Sequence, residues 1–185
     1  MIAELAPAAA PPIPAHVCAV TAMTGAEAVA SRLDSPGWRE IDAFETQAAA
    51  LPQVTLPVEH LFTPGLYTRK IFMPAGTLLT SRIHLFEHPF VIAAGVVSVW
   101  GDETGWQTYR APYLGVTLPA TRRVLHIHED TTWLTFHVTT ETDPDKVVLA
   151  VTFTGGKYEN LGGAAKQDSL KQFLPSSDKI ETLPT

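Results

Sequence analysis

Two histidines four residues apart, His84 and His88, lie in the apolar segment SRIHLFEHPFVIAAG, residues 81–95. On a helix, this spacing would place both imidazoles on one face, as in the metal-binding helix of zinc peptidases. On strands, the pair could belong to a metal site inside a barrel, and a third interpretation is that neither histidine binds anything. Pro89 disfavours helical angles at His88, and Leu85 stands where the peptidase motif requires glutamate. The sequence therefore predicts strands here.

The elements that must position these histidines are short and rich in β-branched and aromatic residues. From about residue 53, such segments follow one another at regular spacing, bounded by Pro, Gly or Asp. The stretch DETG at 102–105, between Trp100 and Trp106, is typical of a hairpin turn. Many short strands without intervening helices predict an antiparallel sandwich or barrel, a class that includes jelly rolls.

The chain divides into three predicted parts. They are an N-terminal arm with short helices at residues 1–52, a barrel at 53–153 and an extended C-terminal tail at 154–185. Prolines near the start favour extended backbone, and helical residue types predict helices at 24–33 and 40–50.

Two further segments carry local predictions. Residues 143–153, DPDKVVLAVTF, fit a helix that begins at Asp143 with Pro144 in its first turn, but VVLAVTF equally fits a strand. The tail contains one predicted helical turn around residues 167–174.

Composition limits the partners and the compartment. The 185 residues include 13 basic and 19 acidic side chains, a net charge of −6, so we expect no nucleic-acid partner. The longest apolar run, about residues 89–100, is too short to span a bilayer, and the N-terminus lacks the basic segment of a secretion signal. We therefore expect cytoplasmic synthesis, no membrane partner and no signal peptide. The single Cys18 excludes a disulfide framework within one chain.

The segment around the histidines resembles the first motif of the cupin superfamily. That motif runs glycine, five residues, His-x-His, three or four residues, glutamate, six residues, glycine. Here Gly76, Arg82, His84, His88 and Gly95 occur at the same intervals. Arg82 replaces the first histidine and cannot bind a metal, whereas His88 replaces the glutamate by another ligand type. The resemblance implies an all-β cupin barrel, that is, a double-stranded β-helix or jelly roll.

The segment GVTLPATRRVLHIHED, residues 115–130, resembles the looser second cupin motif, with Pro119 in place. The glycine and the histidine of that motif are replaced, depending on the register, by Ala120 or Thr121 and by Arg123 or Val124.

A closer resemblance is to small cupin-like proteins of phages and prophages. The matching stretches include FTPGLYTRKIFMPAGTLLTSRIH, EHPFV and APYLGVTLPATRRVLHIHEDTTWLTFHVT, and together they cover about residues 52–143. Those proteins mostly lack a defined activity, so this resemblance implies the fold and not a reaction.

The cupin resemblance also implies where a metal would bind. Cupin topology places the strand of His137 beside the strand of the first motif. His84, His88 and His137 could therefore bind a divalent metal (Fe, Mn, Ni or Zn) and leave positions open for water or substrate. The alternative is a hydrogen-bonded histidine cluster without a metal.

Two arginines near this site have alternative roles. Arg82 and Arg123 could hold the carboxylate of a ligand by bidentate pairing. They could instead form structural salt bridges to acidic neighbours, namely Glu87, Glu129 or Asp130.

A second histidine pair, His126 and His128, shares one face of its predicted strand. Arg123 is an odd number of residues away from both histidines, so its side chain points to the opposite face of the strand. If Arg123 points into the barrel, the pair points outward, so we leave it out of the predicted metal site.

Three functions remain open. The replaced ligand and the phage resemblance favour a non-catalytic oligomeric structural protein, a virion component whose arm and tail contact other subunits or other virion proteins. The alternatives are a metal-dependent cupin enzyme acting on a carboxylate-bearing molecule, and a small-molecule binding protein without chemistry.

Overall fold

The computed structural model describes residues 25–154 and 164–166. Eight strands lie within these ranges: β1 (Val58–Thr63), β2 (Leu66–Met73), β3 (Thr77–Thr80), β4 (His88–Gly101), β5 (Gly105–Arg110), β6 (Tyr113–Thr117), β7 (Arg123–Val138) and β8 (Ala164–Lys166). Three helices accompany them: α1 (Gly25–Ala30), α2 (Pro36–Ala49) and α3 (Pro144–Val151).

Two long strands, β4 and β7, run antiparallel to each other and organise two facing sheets. In the first sheet, the early half of β4 pairs with β6 and the late half of β7 pairs with β2, which pairs with β1. In the second sheet, the late half of β4 pairs with β5 and the early half of β7 pairs with β3, which pairs with β8. All of these pairings are antiparallel, which is the arrangement expected of a jelly roll.

One apolar core fills the space between the two sheets. Its buried members come from both sheets: Ile71, Met73, Phe90, Ile92 and Trp133 from the first, and Leu79, Val97, Val99, Leu125 and Ile127 from the second. The fold is thus the predicted cupin barrel.

The long strand β4 bends between its two sheets through a series of register shifts between Ile92 and Val97. Gly95 lies at this bend with φ = +92°. A β-carbon there would come within 2.5 Å of the Asp130 carbonyl oxygen. Only glycine meets both demands, which explains the motif glycine at this position.

The helices cover the outside of the barrel. α2 begins at Pro36. Ser35 caps the helix, because its hydroxyl accepts a hydrogen bond from the Trp38 N–H. Pro36 therefore starts a helix four residues earlier than the predicted 40–50 segment, because proline fits the first turn. The first arm helix is confirmed as α1, and the 143–153 segment is a helix, α3, capped by Asp143.

α2 is fixed to the barrel by a buried arginine that the sequence reasoning missed. Arg122 is 2% exposed and donates to Asp42 Oδ1 and Glu45 Oε2, each at 2.7 Å. It also donates to the Trp38 carbonyl oxygen. A buried guanidinium with two carboxylate partners joins the helix to the start of β7.

Several predictions concern residues outside the described ranges. They are most of the arm, most of the tail and the helical turn at 167–174. No helix in the described part of the chain has the length and apolarity needed to cross a membrane.

Candidate metal centre

Three imidazoles meet inside the barrel. The ring centroids of His84 and His88 are 4.2 Å apart, those of His88 and His137 4.3 Å, and those of His84 and His137 5.7 Å. One ligand atom from each lies within 4.8 Å of the other two. The structure thus brings together the three histidines that the sequence grouped.

His88 is the first residue of β4 and is 3% exposed. Its Nδ1–H donates to the Phe86 carbonyl oxygen at 3.1 Å, so the lone pair lies on Nε2. That Nε2 is buried and has no hydrogen-bond partner. A ring nitrogen bonded to a main-chain carbonyl, with the other left open, is the usual arrangement of a metal-bound histidine.

His84 lies in the connection between β3 and β4, and main-chain hydrogen bonds hold it on three sides. Its carbonyl oxygen accepts from the Ala120 N–H, and the flanking residues Ile83 and Leu85 bond to the chain at the end of α3. Its Nδ1 is buried without a hydrogen-bond partner. The bend that turns the chain toward His88 lies at residues 85–86.

His137 comes from the far end of β7, opposite Tyr67 on β2. Tyr67 stacks on the His137 ring, and its hydroxyl lies 2.6 Å from Nδ1 of His60, an exposed residue on β1. This stack fixes the plane of the His137 ring on the cavity wall.

The three imidazoles are poor proton acceptors. Burial, followed by the charges of neighbouring histidines, holds the pKa of His84 well below its usual value and lowers that of His137 to about 4. Burial also lowers the pKa of His88. All three are neutral near pH 7, the state in which imidazole binds a metal.

The donor set fits a divalent ion. Imidazoles bound to one tetrahedral ion at roughly 2.1 Å have nitrogens about 3.4 Å apart. Ligand atoms within 4.8 Å of one another reach that spacing through small ring movements. Two orphaned buried nitrogens, of His84 and His88, support the same conclusion.

Arg123 faces the same cavity from the start of β7. Its Nη1 donates to the Thr117 hydroxyl at 3.2 Å, and its guanidinium lies 5.4 Å from the ring centroid of Phe90. This orientation selects one register of the second motif, in which Ala120 replaces the glycine and Arg123 the histidine. Ala120 has φ = +56°, a conformation that favours glycine.

Arg69 is a cavity residue that the sequence reasoning missed. It lies on β2 with the parity of Tyr67 and Ile71, both of which point inward, so strand alternation could have identified it. Burial lowers its pKa, and the charge of Arg82 acts in the same direction. Arg82 is itself exposed at the rim.

The cavity has a volume of about 440 Å³. Its polar wall consists of imidazole, guanidinium and hydroxyl groups, from His60, His84, His88, His137, Arg69, Arg82, Arg123, Tyr67, Thr80, Ser81, Thr117, Thr135 and Thr152. Leucine, valine, isoleucine and methionine side chains and Trp133 form the rest. Carboxylates do not line it in the described part of the chain.

The alternative salt bridges of Arg82 and Arg123 are not formed between described residues. Glu129 pairs with Arg110 instead, and the Asp130 carboxylate accepts from the Ala75 N–H. Both arginines therefore remain available to a ligand.

The pair His126 and His128 lies outside the cavity, as its parity predicts. His128 Nε2 is 2.7 Å from the Ser98 hydroxyl, and burial lowers its pKa to about 4. His128 is thus a matched control for the cavity histidines, since it is also shielded but does not reach the site.

No family model and no curated protein matches the chain. Among solved structures, it is similar to ectoine synthase from P. lautus (9% identity, 56% of this chain and 78% of that one, TM-score 0.45). It is also similar to a cupin superfamily protein from Desulfitobacterium hafniense (7% identity, 49% of this chain and 85% of that one, TM-score 0.40). A third similar structure is a cupin-2 domain protein from Shewanella frigidimarina, with 9% identity over 52% of this chain and 92% of that one and a TM-score of 0.38. Similarity this low says nothing about activity.

Proposed function

We propose that the chain is a metal-dependent cupin that binds a small anionic molecule in its barrel, with one divalent ion held by His84, His88 and His137. The observation that carries the proposal is the meeting of three neutral imidazoles, two with orphaned buried nitrogens, in one cavity. The sequence alone favours a non-catalytic structural role, because Arg82 replaces one of the metal ligands. We favour the metal-dependent role because His137 can supply the ligand that Arg82 cannot.

The residues of the cavity divide into groups with different tasks. When bound, a divalent ion would supply Lewis acidity, which polarises a carbonyl or carboxylate of the ligand. Arg123, positioned by Thr117, orients an anionic group beside the histidines. The apolar wall excludes water from the bound molecule, and the Tyr67 stack keeps His137 in place.

Elemental analysis of the purified full chain tests this proposal. We expect about one equivalent of a divalent transition metal per chain in the wild type and in His128→Ala. In His84→Ala we expect less than a tenth of an equivalent. Metal content that is equally low in all three proteins after loading with Zn²⁺, or equally high in all three, would contradict the metal site.

A second candidate is a non-catalytic oligomeric role, as a component of a phage particle. It is supported by an apolar stripe at strand β6, where Leu114, Val116 and Leu118 are 70%, 50% and 59% exposed. Among the described strands, β6 pairs only with β4, so its other edge is open to a second copy of this chain.

Sedimentation equilibrium of the full chain tests this second candidate. We expect an oligomer that the double variant Leu114→Lys, Val116→Lys converts to the 20.0 kDa monomer. A monomeric wild type at all concentrations would refute assembly through β6. Absence of the protein from purified particles, measured by mass spectrometry, would refute the virion role.

A further inference from the structure

The charge of the cavity is opposite to that of the chain. The protein has a net charge of −6, yet three arginines line the cavity without an acidic neighbour on the described wall. Ion pairs between described residues involve none of the three, and the described neighbours of Arg123 are the Thr117 hydroxyl, the Phe90 ring and the phenols of Tyr109 and Tyr113. Arg82 is exposed, but Arg69 and Arg123 are half-buried, and half-buried cations without counter-charges are costly, so these two indicate a missing anion.

The neighbouring Arg122 shows how this chain treats an arginine that serves only the fold. That residue is fully buried and has two carboxylate partners at 2.7 Å. Arg123, one position later and on the other face of β7, has none. The contrast indicates that the unpaired guanidinium groups of the cavity serve a ligand.

Two of the cavity arginines reach it from different sides of the barrel: Arg69 lies on β2 in the first sheet, and Arg123 lies at the start of β7 in the second. Arg69 lies opposite Thr135 on β7, which in turn lies opposite Phe90 on β4. Two strand spacings, about 10 Å, therefore separate the backbone of Arg69 from that of Phe90. The Arg123 guanidinium lies 5.4 Å from the centroid of the Phe90 ring.

Hydroxyl donors accompany both sides. Thr117 contacts Arg123 directly. On the other side, Thr135 lies opposite Arg69 in the register of β2 and β7, and it also lines the cavity. Apolar side chains, among them Leu79, Leu125 and Trp133, also line the cavity.

We infer that the cavity binds a small dicarboxylate, with one carboxylate held by Arg123 and Thr117, the other by Arg69, and a short apolar linker between them. The inference rests on the proposed function for the location of the ligand site. It adds the class of ligand, because a single carboxylate would leave one side without an anion.

Isothermal titration of the full chain, with and without Zn²⁺, tests this inference. The probes are succinate, glutarate and adipate, and butyrate serves as the monocarboxylate. We expect at least one dicarboxylate to bind about tenfold or more tightly than butyrate, the size of one lost hydrogen bond to a charged group. Arg69→Gln and Arg123→Gln should each abolish this preference, while the surface variant Arg110→Gln keeps it.

Equal affinity for dicarboxylates and butyrate, or no binding of any probe, would overturn the inference. So would a preference that persists in both Arg69→Gln and Arg123→Gln, once thermal melting shows that the variants are folded. Metal content separates this result from the proposed function. A chain that binds one metal but does not prefer dicarboxylates refutes only the inference, and an arginine-dependent preference without bound metal refutes only the metal site.

Discussion

The variant Arg122→Gln is expected to lower the free energy of unfolding by about 3–5 kcal/mol, which is the usual cost of removing one partner of a buried ion pair. The guanidinium is fully buried, and its loss removes both ion pairs, with Asp42 and with Glu45, that join α2 to the barrel. For a chain of this size, the melting temperature should fall by roughly 6–20 °C. Thermal unfolding followed by circular dichroism measures it.

The adjacent variant Arg123→Gln is the matched control. Its guanidinium has no ion pair among the described residues and is half-buried, so its removal should leave the melting temperature unchanged or raise it. The conservative variant Arg122→Lys should lie between, because lysine cannot form the planar fork that reaches both carboxylates. Equal melting temperatures for Arg122→Gln and wild type would show that this contact does not fix α2.

The variant His88→Gln is expected to weaken metal binding by at least about 100-fold, since loss of even an outer partner of a metal ligand costs about 10–100-fold. His88 combines a carbonyl-bonded Nδ1 with an orphaned, buried Nε2, so it is the ligand whose open nitrogen the structure defines best. Glutamine keeps a polar side chain of similar length but offers only weak ligand atoms. Competition with a chromophoric chelator for Zn²⁺ measures the affinity.

The control for His88→Gln is His128→Gln, which removes a shielded histidine from the outer face of β7. It should keep the wild-type affinity for Zn²⁺, because His128 bonds to Ser98 and does not reach the cavity. If both variants bound Zn²⁺ as the wild type does, His88 would not be a ligand.

Much of the site follows from the cupin resemblance together with local sequence. The intervals from Gly76 to Gly95 resemble the first cupin motif and so imply the barrel, and Pro89 disfavours the helical alternative. Strand parity separates the cavity residue Arg123 from His126 and His128, and the structure agrees. The geometry of His137 depends on a contact between strands far apart in sequence, so only the cupin resemblance could suggest it.

Other features could not be predicted because they depend on tertiary contacts. The sequence RR at 122–123 shows two like charges, but one side chain is buried under α2 and the other faces the cavity. Only the position of α2 decides this, and the sequence placed the start of that helix four residues late. Arg69 was missed since a lone arginine on a strand is usually a solvated surface residue.

The titration of the metal-free full chain with Co²⁺ tests the central claim most directly, because d–d absorption reports both stoichiometry and the coordination sphere. We expect a visible spectrum that saturates at about one equivalent of Co²⁺ per chain and persists in His128→Gln. That spectrum should be lost in the double variant His84→Ala, His137→Ala. Absence of saturable binding in the wild type, or the same spectrum in the double variant, would contradict a metal centre built from His84, His88 and His137.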